Sequence, residues 1–165
     1  MEHMIYVISD THFGHENIIK YASRPFSSVE EMDNTIIQNW NKTVSDSDTV
    51  IHLGDVRHGK GSLTIEEYFS QLNGTKILLK GNHEHGQDGR MLPFSYYIKR
   101  GKHRFLLIHD PNTTKVVFKN QWIIHGHSHN YGKFIDKEKR RINVSVENIE
   151  YTPISIEQIL SLLNK

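Results

Sequence analysis

The residues most able to do chemistry sit at Ile123-Ile124-His125-Gly126-His127-Ser128-His129, where an apolar run stops at a glycine and three imidazoles fall within five positions. Imidazole is the commonest transition-metal ligand, and histidines two apart point into one cleft from a strand end or tight loop. A single His-x-His is a weak signal by itself. The chain, however, repeats the arrangement. Asp10 and His12 follow the run Met4-Ile5-Tyr6-Val7-Ile8, and Asp55 follows Thr49-Val50-Ile51-His52-Leu53. Asn82 and His83 follow Lys76-Ile77-Leu78-Leu79, and His109 follows His103 to Ile108. Five apolar runs thus end in side chains that bind metals through oxygen or nitrogen.

Those runs read as short buried strands. In α/β sheets, ligands bind beyond the carboxyl ends of the strands. Five parallel strands in one sheet would therefore bring the five tips to one edge. Taken together, Asp10, His12, Asp55, Asn82, His109, His127 and His129 exceed what one tetrahedral zinc accepts and suit two metals sharing a carboxylate. Two divalent ions bring four positive charges against the two carboxylates of Asp10 and Asp55, a surplus that attracts a phosphate oxyanion. Mixed imidazole and carboxylate donors favour manganese, iron or zinc over magnesium or calcium.

The intervening segments supply helices. Ser27-Ser28-Val29-Glu30-Glu31 offers a capping box in either register, and Met32, Ile36, Trp40 and Val44 follow at helical spacing as a core stripe. Thr64 to Leu72 reads as a second helix stopped by Asn73-Gly74. Asn17 to Tyr21 is a turn or two of helix, and Glu157 to Leu163 is a terminal amphipathic helix. Tyr96 and Ile98 alternate with basic residues before the turn Gly101-Lys102, which predicts an exposed hairpin strand; Lys99, Arg100, Lys102 and Arg104 fit that hairpin. Lys133 to Ile135 and Arg141 to Val146 pair across the charged turn 136–140, which reads as solvated.

The chain has 165 residues, 36% hydrophobic and 24% charged, with a net charge of +1, and is expected to form a single domain over 1–165. The near-neutral charge and the lack of an aromatic-basic surface disfavour a long nucleic-acid track. Zero cysteines excludes disulfides, thiolate metal sites and cysteine nucleophiles. No apolar run is long enough to cross a bilayer, and the opening residues lack the pattern of a secretion signal, so a cytoplasmic protein without membrane contact is expected.

Asp10-x-His12, Gly54-Asp55, Gly81-Asn82-His83-Glu84, His109 and Gly126-His127-x-His129 resemble, in order, the signature series of calcineurin-like metallophosphoesterases, most closely the small bacterial or phage type. The resemblance implies an α/β fold, a four-layered α/β/β/α sandwich with two mixed β-sheets. It implies that Asp10, His12 and His129 hold one divalent ion, that Asn82, His109 and His127 hold a second, and that Asp55 bridges them. It further implies hydrolysis of phosphodiesters or monoesters by a metal-bridging hydroxide. His83, not a ligand, would assist the leaving group, oriented by Glu84 or another acid. A small phosphoester or nucleotide-like compound is the expected substrate. A binding module of the same fold, a nuclease and a nucleoside polyphosphate hydrolase are the alternatives, and the oligomeric state is not legible.

His15 and Arg57 closely follow ligand blocks and are the candidates for extra phosphate contacts. His125 is expected to point away from the metals and His52 to be a satisfied core histidine. His3, His58, His85 and His103 are expected in solvated loops or on strand faces, and nothing near Ser128 makes it a nucleophile. Asp110 is the candidate for orienting a ligand imidazole.

Overall fold

A computed structural model of the chain describes residues 3–83, 91–116 and 118–165. Two mixed sheets form its centre. In the first, parallel strands β1 (Ile5–Ile8), β2 (Thr49–His52) and β3 (Thr75–Leu78) lie in the order β3-β2-β1, with β9 (Ile154–Ser155) antiparallel on the far side of β1. The second has the order β4-β5-β6-β8-β7, built from β4 (Ser95–Arg100), β5 (His103–Ile108), β6 (Gln121–His125), β7 (Ile135–Asp136) and β8 (Arg141–Asn143). Strands β5, β6 and β8 run parallel, while β4 and β7 are antiparallel edges.

The parallel pairs of the first sheet need crossovers, and helices supply them. Helix α1 (Glu16–Tyr21) and α2 (Val29–Thr43) connect β1 to β2, and α3 (Ile65–Phe69) connects β2 to β3. The Ser28 hydroxyl caps α2 by accepting from the Glu31 N–H at 3.1 Å, and Met32, Ile36 and Trp40 form its wholly buried stripe. Thr64 and Glu67 make a reciprocal capping box that starts α3, which stops at Phe69, short of the predicted Leu72. Helix α4 (Ile156–Leu163) is started by a Ser155–Gln158 box and packs on β9 and β1. The helical layers are unequal, because among the described residues the connections between β4 and β8 carry only a 3-10 turn at Pro111–Thr113.

Phe105, Leu107, Ile124 and Ile142 of the second sheet share one core with Val7, Ile8, Val50 and Ile51 of the first. The expectation of one parallel sheet behind all five tips is corrected: β1 to β3 belong to one sheet, β5 and β6 to the other. The tips still meet, because the sheets are stitched at their carboxyl ends. Ser9 bridges Ser145 in parallel, and the Ser9 N–H donates to the Val144 carbonyl at 3.0 Å. No helix among the described residues is long and apolar enough to cross a membrane.

Candidate metal centre

Beyond β1 and β2 the chain does not stop pairing. The Asp10 N–H donates to the Gly54 carbonyl, His12 to Asp55 and Phe13 to Val56, so the loops after the two strands run side by side. Asp10 and Asp55 arrive at one place by this route. Five candidate ligands adopt left-handed backbone conformations: Asp10 (φ 58°), His12 (49°), Asp55 (56°), His127 (65°) and His129 (46°). Each such residue costs on the order of 1 kcal/mol, and such strain collects where a site needs its side chains turned one way.

Two glycines permit the approach of these loops. A Cβ on Gly54, whose φ is 104°, would meet the Gly81 backbone at 2.5 Å. A Cβ on Gly126 would lie 2.0 Å from Ser9 Oγ and 2.3 Å from Asp10 Oδ2. Only hydrogen atoms fit there.

Asp10, His12, Asp55 and His109 are buried, and their donor atoms surround one small volume. Asp55 Oδ2 lies 3.6 Å from His12 Nε2, 3.4 Å from His109 Nε2 and 3.8 Å from His83 Nε2. Asp10 Oδ1 lies 3.9 Å from both His12 Nε2 and His129 Nε2. Three sets of donors able to hold a metal result: Asp10 with His12 and His129, Asp10 with Asp55 and His109, and His12 with Asp55 and His83. Asp10 Oδ1, His12 Nε2 and His109 Nε2 are buried without a hydrogen-bond partner. Buried polar atoms are ordinarily paired, and three orphans facing one another with mixed O and N character fit divalent metal ions.

The remaining predicted ligands stand at the outer side. Asn82 is exposed, its Nδ2 2.7 Å from His127 Nδ1, and the His127 ring meets that of His109 edge-on at 5.3 Å. His127 belongs to none of the three close sets of histidine and carboxylate donors among the described residues.

The electrostatics follow from the crowding. Burial would raise the Asp55 carboxyl, but His109, His12 and the His83 N–H at 2.8 Å hold it well below the usual range. Burial pulls His109 down, yet Asp55 and the Asp10 charge lift it to about 9. Burial keeps His12 neutral, with Arg24 and its neighbouring imidazoles opposing a second positive charge.

Each inner ligand has a support. Asp10 Oδ2 accepts from the His127 N–H at 2.9 Å and from Ser145 Oγ at 3.0 Å. His109 Nδ1 is 2.9 Å from the Leu53 carbonyl, which turns Nε2 towards Asp55. His129 Nδ1 lies 3.1 Å from Glu147 Oε1, and its carbonyl accepts from Asn143 and Asn148. Arg24, buried, donates to Glu147 through Nε and to the carbonyls of Thr11 (2.8 Å) and Asp10 (2.7 Å). Neither Arg24 nor Glu147 carries a signal in the sequence that marks it as part of the site.

Other expectations divide. His52 is a satisfied core histidine, with Nε2 3.0 Å from Thr11 Oγ1 and Nδ1 accepting from the Gly54 N–H. His125 is buried with Nδ1 2.8 Å from the Gly126 carbonyl and joins no donor set. Asp110 does not orient an imidazole; its carboxylate caps the 3-10 turn by accepting from the Asn112 N–H. Arg57 turns onto its own loop, donating to Ser62 Oγ and the Gly59 carbonyl, because residues 57–62 fold back there. His15 lies against His12, with Nδ1 atoms 3.4 Å apart, and burial with the nearby His58 pulls it down to about 4. His58 is not a solvated loop residue: its ring packs 4.5 Å from His15 and 4.7 Å from His83. Glu84 and His85 lie outside the described residues.

Comparison with known proteins agrees with this architecture. The chain is 43% identical over 98% of its length to MJ1445 of Methanocaldococcus jannaschii, an uncharacterised protein of which it covers 92%. The crystal structure of AQ665 from Aquifex aeolicus, of unknown function, is 29% identical, with a TM-score of 0.75 over 98% of this chain and all of that one. YfcE, a phosphoesterase from E. coli, shares the fold at 17% identity and a TM-score of 0.50, over 91% of this chain and 80% of its own. A family model of the calcineurin-like phosphoesterase superfamily domain matches residues 3–146, and with a match over most of its length the chain belongs to that superfamily.

Proposed function

We propose that this protein is a metal-dependent hydrolase of small phosphoesters, diesters or monoesters. The observation that carries the reading is the trio of orphaned buried donors, Asp10 Oδ1, His12 Nε2 and His109 Nε2, gathered round Asp55. Asp10, His12 and His129 would hold one divalent ion, and His109, His127 and Asn82 a second, with Asp55 shared. Bound there, manganese, iron or zinc would activate a water and offset the phosphate charge.

The chain's own groups do the rest. The Asp10 and Asp55 carboxylates are fixed by backbone N–H groups, so they keep their geometry as charge moves during the reaction. His83 has a half-exposed ring at the mouth of the donor cluster, 3.8 Å from Asp55, placed to pass a proton to a leaving group. That proton goes to the departing oxygen as the attacking oxygen bonds to phosphorus, so no covalent enzyme intermediate is required. His15 lies beside this path.

The test begins with metal analysis of the purified protein and a screen of mono-, di- and cyclic phosphates with Mn²⁺, Ni²⁺ and Zn²⁺. His83→Ala is expected to keep its metals and lose about 10²- to 10⁴-fold in turnover. Asp55→Ala is expected to lose the shared site and the activity together. If Asp55→Ala hydrolysed diesters as well as the parent, the two-metal reading would be wrong. Tight metal binding without turnover on any ester would make the protein a binding module instead.

A further inference from the structure

The pocket over the donor cluster is far larger than a phosphate. It encloses about 520 Å³, within the range of pockets that hold nucleotide-sized ligands. His15, His58 and His83 form one wall, Asn17 adds an amide, and Tyr21 and Tyr131 stand at the rim. No lysine, arginine or carboxylate lines it among the described residues. The described lining thus offers aromatic, apolar and amide surface to whatever lies beyond the phosphate.

The two tyrosines are the unusual feature. Tyr21, at the end of α1, is 69% exposed, and Tyr131, in the loop after β6, is 73% exposed. A lone exposed aromatic needs no explanation, but two on the rim of one pocket leave flat apolar faces where a ligand must pass. Their neighbours are tied together: the Asn130 side-chain Nδ2 donates to the Ala22 carbonyl at 3.1 Å, joining the residue before Tyr131 to the residue after Tyr21. Tyr131 is held further by its N–H to the Ser128 carbonyl at 2.8 Å, and the Tyr21 ring meets His15 edge-on at 6.4 Å. The anchors are fixed and the rings uncovered.

We infer that Tyr21 and Tyr131 form a stacking subsite for a flat, uncharged heteroaromatic ring, and that the substrate is a phosphoester of a nucleoside-like alcohol. The inference rests on the phosphoesterase reading and adds a direction to it. Because His83 lines the same pocket, the ring-bearing alcohol is the group expelled. Water oxygen bonds to phosphorus, the bond from phosphorus to the ring-bearing oxygen breaks, and His83 delivers a proton to that oxygen. The proton lost by the water passes to solvent. The products are a free nucleoside-like alcohol and a phosphate ester one substituent smaller.

The methyl ester of AMP tests this, because either alcohol can leave and the two have similar intrinsic reactivity. The Mn²⁺-loaded protein is expected to yield adenosine and methyl phosphate; AMP and methanol would overturn the assignment. Tyr21→Ala and Tyr131→Ala are each expected to raise KM for this ester about five- to a hundredfold, the span of one lost base-stacking contact. Both should leave kcat, and the KM for methyl trifluoroethyl phosphate, which has no ring, within about threefold. Unchanged KM for the AMP ester in both variants would overturn the subsite. Equilibrium dialysis of adenosine against metal-free protein reads the subsite without catalysis: binding by the parent and its loss in the variants supports the inference, and equal binding by all three refutes it. If the parent turned over neither ester, the phosphoesterase reading would fall, and dialysis would still decide the stacking.

Discussion

Glu147→Gln is the sharpest perturbation of the centre that leaves every candidate ligand in place. Glu147 sits in the turn after β8 with its carboxylate almost wholly buried, and Oε1 takes Arg24 Nε at 2.9 Å, Arg24 Nη2 at 2.8 Å and His129 Nδ1 at 3.1 Å. Burial would raise its carboxyl, but His129 and Arg24 bring it below the ordinary value, so the group is ionised. The amide keeps the shape and one acceptor oxygen while removing the charge. Arg24, whose side chain has no exposed surface, would then hold a positive charge with no anion bonded to it, facing the Asp10 and Thr11 carbonyls, Met32 Sδ and the Tyr151 ring. Removing one partner of a buried ion pair costs about 3–5 kcal/mol, and the retained acceptor brings the expectation to about 2–4 kcal/mol.

The second effect falls on the metal. His129 would lose the anion that fixes its tautomer and strengthens Nε2 as a donor, a change that typically weakens metal binding about 10- to 100-fold. Urea unfolding of metal-free protein reads the first effect, and competition against a chelator reads the second. The double variant Arg24→Gln/Glu147→Gln separates them. Deleting the stranded charge should restore part of the stability, while metal affinity stays low because the tethers on Asp10 and Thr11 are also weakened. If Glu147→Gln unfolded within about 0.5 kcal/mol of the parent and held metal equally well, the network would be a passive surface contact and the reasoning refuted.

Gly126→Ala should cost about 1–3 kcal/mol and displace Asp10, because the new methyl would overlap Ser9 Oγ and Asp10 Oδ2; a melt and a metal analysis check it, and full metal content in the variant would contradict it. His109 supplies a pH dependence. Lifted from an ordinary 6.5 to about 9 by Asp55 and Asp10 against the pull of burial, it contributes stability to the metal-free protein that is complete below pH 6.5 and lost as pH rises through 9. The same proton must leave when a metal takes Nε2, so metal uptake at pH 7.5 should release about one proton from this group, seen as a binding enthalpy that depends on the buffer; zero release would mean that His109 is already neutral there.

What the sequence reveals and what it hides have one physical cause, the range over which a signal acts. A buried strand and the residue that ends it are neighbours in the chain, so Asp10, Asp55 and His109 can be found from apolar runs alone. The division of those strands between two sheets depends on long-range pairing, and no local pattern carries it. Arg24 and Glu147 are 123 positions apart and each reads as an ordinary charged loop residue; only the stitching of Ser9 to Ser145 turns both inward. His58 is the instructive case, because a signal does exist. His12 is followed three residues later by His15, and Asp55 three residues later by His58. The two loops are in register, with His12 bonded to Asp55, Phe13 to Val56 and the His58 N–H returning to the Phe13 carbonyl, so equal offsets arrive opposite each other. Aligning the two loops on their ligands is enough to set His58 beside His15. The imidazole wall of the pocket is thus a consequence of loop pairing continued past the ends of β1 and β2. A substitution that broke that pairing, at Phe13 or Val56, should therefore disturb both the metal donors and the pocket wall, although neither side chain carries a donor atom.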